Sequence, residues 1–401
     1  MRSSYRPCGD IIAISFVSVL LASGQEPSPE LPDPWSLSLR VGGEYSDNRD
    51  GTSTNKQSSF DVIVEPQAVL RYQDADRTTA QLMLTPMIKW RSNPRTEAEG
   101  GAQKDTELFG AVEAVGMHRL TPTVTLTAGD RLTYNDDPNT IQNAATARRS
   151  ESYVLNAAHA GVAKEFSAEA GFGLTGEGET TRYQDSKAAK ELDSDLFAGE
   201  LNTHYIVGSN WTLLGLISAS EYQAEKTVRM RGSAVETYNA GFEKKITQDL
   251  VGKIMGGLQV MQYDNPELDP ARGMNGNAEM TFQAAAPTRF RLAVKYGYTP
   301  PSDSAYSAQQ ATTFTGEIDH DVMSDRLTLR LLGEYMDSQY VSEGPDTPGG
   351  AETQVRLSAH GTCFLTQKWS LTGGYAYEKW DSAFREAFTR NMVDLSVRAE
   401  W

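Results

Sequence analysis

Beyond its first two dozen residues the chain has no apolar run approaching the roughly 18 residues that a membrane-crossing helix requires. With a mean hydropathy of -0.47, a helical membrane protein is excluded. Positive charge is also scarce: 37 Lys and Arg stand against 53 Asp and Glu, a net charge of -16. No nucleic-acid partner is expected, because phosphate backbones demand basic patches. Four of the five histidines, His118, His159, His204 and His360, are scattered singly, with neither a metal-ligand spacing nor a positioned nucleophile beside them. No metal and no cofactor are expected. Paired glycines such as Gly42-Gly43, Gly256-Gly257 and Gly373-Gly374 match no phosphate-binding loop and read as bends or close packing within strands.

The N-terminus carries Arg2 and Arg6, an apolar run from Ile11 to Leu21, and the small residues Ala22-Ser23-Gly24. A positive start, a short apolar middle and small residues before a break describe a secretory signal peptide over residues 1–24, cleaved after Gly24. Its removal takes away two positive charges and one negative, Arg2, Arg6 and Asp10, so the mature net charge moves from -16 to -17. Cys8 precedes the apolar run instead of marking the cleavage point, which argues against lipidation, and the mature chain keeps only Cys363. With no intrachain disulfide to form, a structure of this length must be held by its hydrogen-bond ladder or its core. Residues 25–34 (QEPSPELPDP) alternate proline and acid and read as an extended proline-rich periplasmic leader.

From Trp35 to Trp401 the sequence alternates apolar and polar residues in runs of about ten to fourteen. The last run is the clearest: Val393, Leu395, Val397, Ala399 and Trp401 fall on one face, Asp394, Ser396, Arg398 and Glu400 on the other. A terminal edge left open in lipid would carry unsatisfied backbone groups, so this strand must close something. About eighteen such runs are present, among them Phe60–Tyr72, Thr79–Trp90, Ala168–Gly176 and Thr312–Val322. Breaks between them alternate between short turns (KEFS, GSN, TQD, TQK) and long polar stretches. A soluble sandwich or propeller has no reason to keep that asymmetry. The expected fold is an all-β, transmembrane, antiparallel up-and-down β-barrel of about 18 strands over residues 35–401. Short periplasmic turns, long extracellular loops and both termini on the periplasmic side complete it. Trp90, Tyr134, Tyr222, Tyr263, Tyr298, Tyr340 and Trp380 stand where strands enter the long breaks, and Trp35, Tyr72, Tyr205, Trp211, Trp369 and Trp401 stand near the short turns, implying two aromatic girdles.

A barrel this wide cannot be filled by its own side chains, so the inward register should carry the function. Reading that register gives Arg289, Arg291 and Lys295 on one strand and Glu317, Asp319 and Asp321 on the next. Arg330 and Glu334 follow, then Arg356 and His360, then Asp394 and Arg398. Basic and acidic rows on adjacent strands are expected to pair across the wall and set up a transverse field in the pore. Asp319-His320-Asp321 superficially resembles the acid and histidine groups of barrel proteases, but alternation puts His320 outward with Phe314, Gly316, Ile318 and Val322 while both aspartates point in. No enzymatic activity is expected.

Signal, proline-rich leader, alternating strands and a terminal Trp together resemble the outer-membrane β-barrel porin family of Gram-negative bacteria. The likeness extends to its members associated with exopolysaccharide export. That resemblance implies a bacterial outer-membrane location and a porin-like channel for passive passage of small solutes or polysaccharide. It also implies outer-membrane lipid and the insertion machinery as partners, with Trp401 as the assembly signal. The alternative is a structural or adhesive barrel that binds a partner through its outer loops. Breaks of at most about twenty residues leave room for an inward-folding constriction but not for a large plug.

Overall fold

The computed structural model describes residues 33–49, 53, 56–74, 77–93, 105–136, 152–184, 193–224, 232–266, 268–285, 287–299, 306–323, 326–342, 350–383 and 387–401. The signal peptide expected over 1–24 and all but the last two residues of the leader expected over 25–34 lie outside the described residues. Among those described, every regular element is a strand. In chain order they are β1 (Trp35–Ser46), β2 (Ser59–Asp74), β3 (Thr78–Arg91), β4 (Thr106–Thr121), β5 (Val124–Asn135) and β6 (Tyr153–Glu165). Then come β7 (Ala170–Tyr183), β8 (Ser194–Val207), β9 (Trp211–Ala224), β10 (Ser233–Lys245), β11 (Leu250–Tyr263) and β12 (Ala271–Ala285). The last six are β13 (Thr288–Thr299), β14 (Tyr306–Asp321), β15 (Leu327–Ser342), β16 (Gly350–Phe364), β17 (Trp369–Ser382) and β18 (Phe388–Glu400).

Each strand pairs antiparallel with the next, and β1 pairs with β18, so the 18-stranded sheet closes on itself. This is the barrel that the alternation predicts. Closure is made at the chain's end as well: Trp401 N–H donates to the Leu37 carbonyl at 2.9 Å, and Leu37 N–H donates back to Trp401 at 3.3 Å. Val41 faces Val397 and Arg40 faces Arg398 across that seam. Strands spaced about 4.8 Å apart and tilted by about 40° make an 18-strand ring roughly 35 Å across at the backbone.

Two runs extend six or seven residues past their expected ends. β7 continues from Gly176 to Tyr183 and β14 begins at Tyr306, six residues ahead of Thr312. Backbone pairing persists there, while Gly, Thr and Gln remove the apolar half of the alternation on which the sequence reading depends. The ladder between β2 and β3 has a gap instead. Val64 pairs with Ile88 and Ala68 with Leu84, but nothing pairs between them, where Pro66 stands opposite Pro86. The ladders on either side, Leu39 to Pro66 and Pro86 to Gly110, are unbroken. Both ring nitrogens therefore point into the β2–β3 seam, where neither can donate a hydrogen bond.

The outward face carries the bulky apolar side chains, Leu292, Phe314, Leu331, Leu357 and Val393 among them. The expected outer aromatic girdle needs correction. Tyr340 and Trp380 turn inward and are 4% and 1% exposed. Tyr340 Oη donates to Glu352 at 2.8 Å, Trp380 Nε1 donates to the other Glu352 oxygen, and the indole stacks on Phe388. Tyr263 and Tyr298 likewise pack against Val235, Met261 and Ala308. At the outer rim the wall closes over its own small core, and an aromatic ring with a polar tip is stable there once its donor finds a buried acceptor.

Candidate functional site

The charged inner face of the wall is the candidate site. Alternation fixes which side chains reach it: with Leu292 and Tyr296 outward and exposed, Arg289, Arg291 and Lys295 of β13 take the opposite side. Arg289 stands directly opposite Asp319, Arg291 opposite Glu317, and Lys295 opposite Thr313. The row-to-row pairing expected between β13 and β14 is nonetheless only partial. Arg291 turns back to β12, where Nε lies 2.9 Å from Glu279 Oε1 and Nη2 lies 3.2 Å from Oε2. Glu317 is taken from the other side by Arg330 of β15, whose Nε also lies 3.7 Å from Asp319. Long guanidinium side chains reach diagonal neighbours as readily as direct ones, so register alone does not select the partner.

The remaining expected residues sit nearby. Asp321 Oδ1 accepts a hydrogen bond from Thr328 Oγ1 at 2.9 Å. Glu334 is opposite Arg356, and Arg356 Nε lies 3.5 Å from Glu378 of β17. His360 Nδ1 is 3.8 Å from Asp394 Oδ1, and both lie over Gly374, where an added Cβ would collide with them. His320 is on the other side of the wall, its Nδ1 2.7 Å from Thr288 Oγ1 and its ring beside Leu329 and Leu331, so it is separated from both aspartates. Trp401 is outward and exposed beside the periplasmic turns.

Four further groups belong to the same face and escaped the strand-by-strand reading. Glu65 of β2 holds Arg40 of β1 at 3.6 Å and Arg398 of β18 at 3.5 Å, across the closing seam. Nearer the outer rim Lys89 lies 3.0 Å from Glu44 and 3.1 Å from Asp61, and Arg91 lies 3.7 Å from Asp61 and 2.7 Å from Glu107. Glu378 is shared by Arg356 and Arg390, with Arg390 Nε 3.0 Å away. The fourth group is unlike these: Glu177 and Glu179 of β7 and Glu200 of β8 face inward on a sector whose neighbour β9 presents Thr212, Leu214, Leu216, Ser218 and Ser220. The same two-residue period, read also along β2 to β4, β7, β8 and β17, was the signal that could have found them all.

The inner face is thus polarised: most of the ring is laced with ion pairs, β13 presents a basic row, and β7–β8 present carboxylates. In a low-dielectric wall such fixed charges focus their field into the aqueous path.

Among protein families, the one described as "Putative beta-barrel porin 2" matches residues 36–401. No curated protein matches the chain. Among solved structures, Pseudomonas aeruginosa OpdK, determined with vanillate, is similar at TM-score 0.51 and 11% identity, covering 92% of this chain and 99% of that one. Pseudomonas aeruginosa OccK9 (OpdG) is similar at TM-score 0.51 and 12% identity, covering 92% and 98%. Acinetobacter baumannii OccAB4 is similar at TM-score 0.50 and 10% identity, also covering 92% and 98%. At these identities the likeness is one of fold.

Proposed function

The chain belongs to the family described as "Putative beta-barrel porin 2", and from that premise we propose that it is an outer-membrane channel through which small solutes or polysaccharide pass passively along a charged lumen. One observation carries the reading: the inward side of a closed 18-strand wall bears Arg289, Arg291 and Lys295 on one sector and Glu177, Glu179 and Glu200 on another. A ring of 16 to 18 strands has room for an aqueous path, and opposed charge rows orient an ionic or polar solute across it. Passage through such a lumen is a matter of binding and release, so no catalytic step belongs to this reading. The split of Asp319-His320-Asp321 between the two faces agrees with that. Delivery follows from a signal cleaved after Gly24 and from Trp401 as the aromatic read by the insertion machinery.

The test is single-channel conductance of the purified protein in planar bilayers, with ohmic, salt-dependent currents expected. Replacing Arg289, Arg291 and Lys295 together by Gln should shift the reversal potential under a salt gradient toward cations while heat-modifiable migration is kept. Persistent silence from folded protein would overturn the channel reading in favour of a structural or adhesive barrel. An unchanged reversal potential would remove the basic row from the ion path.

A further inference from the structure

Lipid-facing positions on β13 to β17 carry bulky apolar side chains such as Leu292, Phe314, Leu331, Leu357 and Tyr375, and the glycines among them, Gly316, Gly333, Gly361 and Gly373, each lie against a neighbouring leucine. The outward side of β4 to β8 is different. Asp130 lies at mid-strand in β5 between Leu126 and Leu132, both exposed on the outer face, so its carboxylate points away from the lumen. Asn156 of β6 joins it, with Nδ2 donating to Asp130 Oδ1 at 2.8 Å. Asp130 is flanked in register by Ala114 and Ala158. The next row runs Ala128, Ala160, Gly176, Gly199 from β5 to β8, with no side chain larger than a methyl group.

From this we infer that the outer face of β4 to β8 is an interface between two copies of this chain in the membrane. A carboxylate and an amide at mid-wall are unfavourable against hydrocarbon, more so the nearer they lie to the midplane. One hydrogen bond leaves most of the carboxylate's acceptor capacity and a second amide hydrogen for another partner. A second copy supplies what is needed. Barrels inserted by one route share their orientation, so an axis along the membrane normal brings equal depths together. Asn156 of the partner subunit could then donate to Asp130 while this chain's Asn156 donates in return, a self-complementary exchange that neither lipid nor an unrelated wall offers.

The glycines point the same way, independently of the polar pair. A Cβ added at Gly176 or at Gly199 would meet nothing within 4 Å. No packing inside the chain requires glycine there, and mid-strand glycine weakens a sheet unless another backbone approaches closely. Five strands about 4.8 Å apart, over an apolar band about 25 Å tall, give about 600 Å² per copy, or about 1,200 Å² in total. That reaches the lower end of stable interfaces.

The experiment uses the mature chain from Gln25, whose one cysteine is removed by Cys363→Ser, reconstituted in lipid bilayers. Ala158→Cys should cross-link into a covalent dimer with a short bis-maleimide, and Leu331→Cys on the far wall should not. In parallel, Gly176→Trp and Asp130→Leu, each checked for folding by heat-modifiable migration, should raise the protein-to-lipid ratio needed for half-association at least tenfold. The inference is overturned by a monomeric mass with no cross-link at Ala158→Cys, by equal cross-linking at Leu331→Cys, by a cross-link to a different protein, or by unchanged association in both folded variants. None of these readouts depends on whether the lumen conducts.

Discussion

Replacing both Pro66 and Pro86 by Val should stabilise the barrel and fill the gap in its wall. The two prolines are opposed in the β2–β3 seam while their other flanks are paired without interruption. An N–H restored at position 66 would therefore aim at the carbonyl of residue 86, and the reverse. In water each new bond would contribute about 0.5–1.5 kcal/mol, but here it also relieves a carbonyl facing lipid, a penalty of about 1–3 kcal/mol. Two bonds at the latter value give about 2–6 kcal/mol. Against this, each lost proline frees the unfolded chain by about 0.4–1 kcal/mol. The net gain is about 1–4 kcal/mol, readable as a higher urea midpoint in detergent, and each single substitution should give roughly half. Hydrogen exchange supplies a direct check, because the new amides at 66 and 86 should be protected as strongly as those of their strand neighbours. Fast exchange at either position, or a lower midpoint for the double variant, would mean that the nitrogens do not point into this seam.

Glu378 binds two guanidinium groups with a side chain only 3% exposed, so Glu378→Gln leaves Arg356 and Arg390 facing each other. The cost should be about 2–4 kcal/mol, below that of a fully buried pair because Arg356 is about one-third exposed; an unchanged urea midpoint would refute it. On the closing strand, deletion of Trp401 should leave unfolded periplasmic chain even at low expression, and Val397→Asp should insert less efficiently, both read by heat-modifiable migration. Ser396→Asp should still assemble, since Ser396 Oγ accepts from Arg40 Nε at 3.1 Å and a carboxylate there meets a cation; the reverse order of Val397→Asp and Ser396→Asp would mean that the faces are misassigned.

The face of nearly every side chain was legible in the sequence because a strand between lipid and water must alternate, and a slip by one residue would reverse every position at once. Phe314, Ile318 and His320 against Glu317, Asp319 and Asp321 could be sorted on that ground alone. The ion-pair partners could not. Arg291 prefers Glu279 to the directly opposite Glu317, a choice made by side-chain reach and by competition from Arg330, neither of which has a period. Tyr340 and Trp380 were misleading for another reason: at the rim the wall no longer separates lipid from water, so the rule that places aromatics outward lapses.

The lapses of alternation are themselves informative, because they mark where the wall meets something other than acyl chains. The outer row of β7 falls to Gly176, Gly178 and Thr180 although the backbone remains fully paired with β6 and β8, and the apolar outer row of β5 is interrupted by Asp130. Either fault alone could be tolerated by a barrel held by some eighteen ladders. Side by side at the same depth they are hard to maintain in bare lipid, since the first forfeits contact with acyl chains and the second places a carboxylate among them. A single occupant that packs against glycine and hydrogen-bonds a carboxylate relieves both, and another protein wall is the surface in a membrane that does the two together.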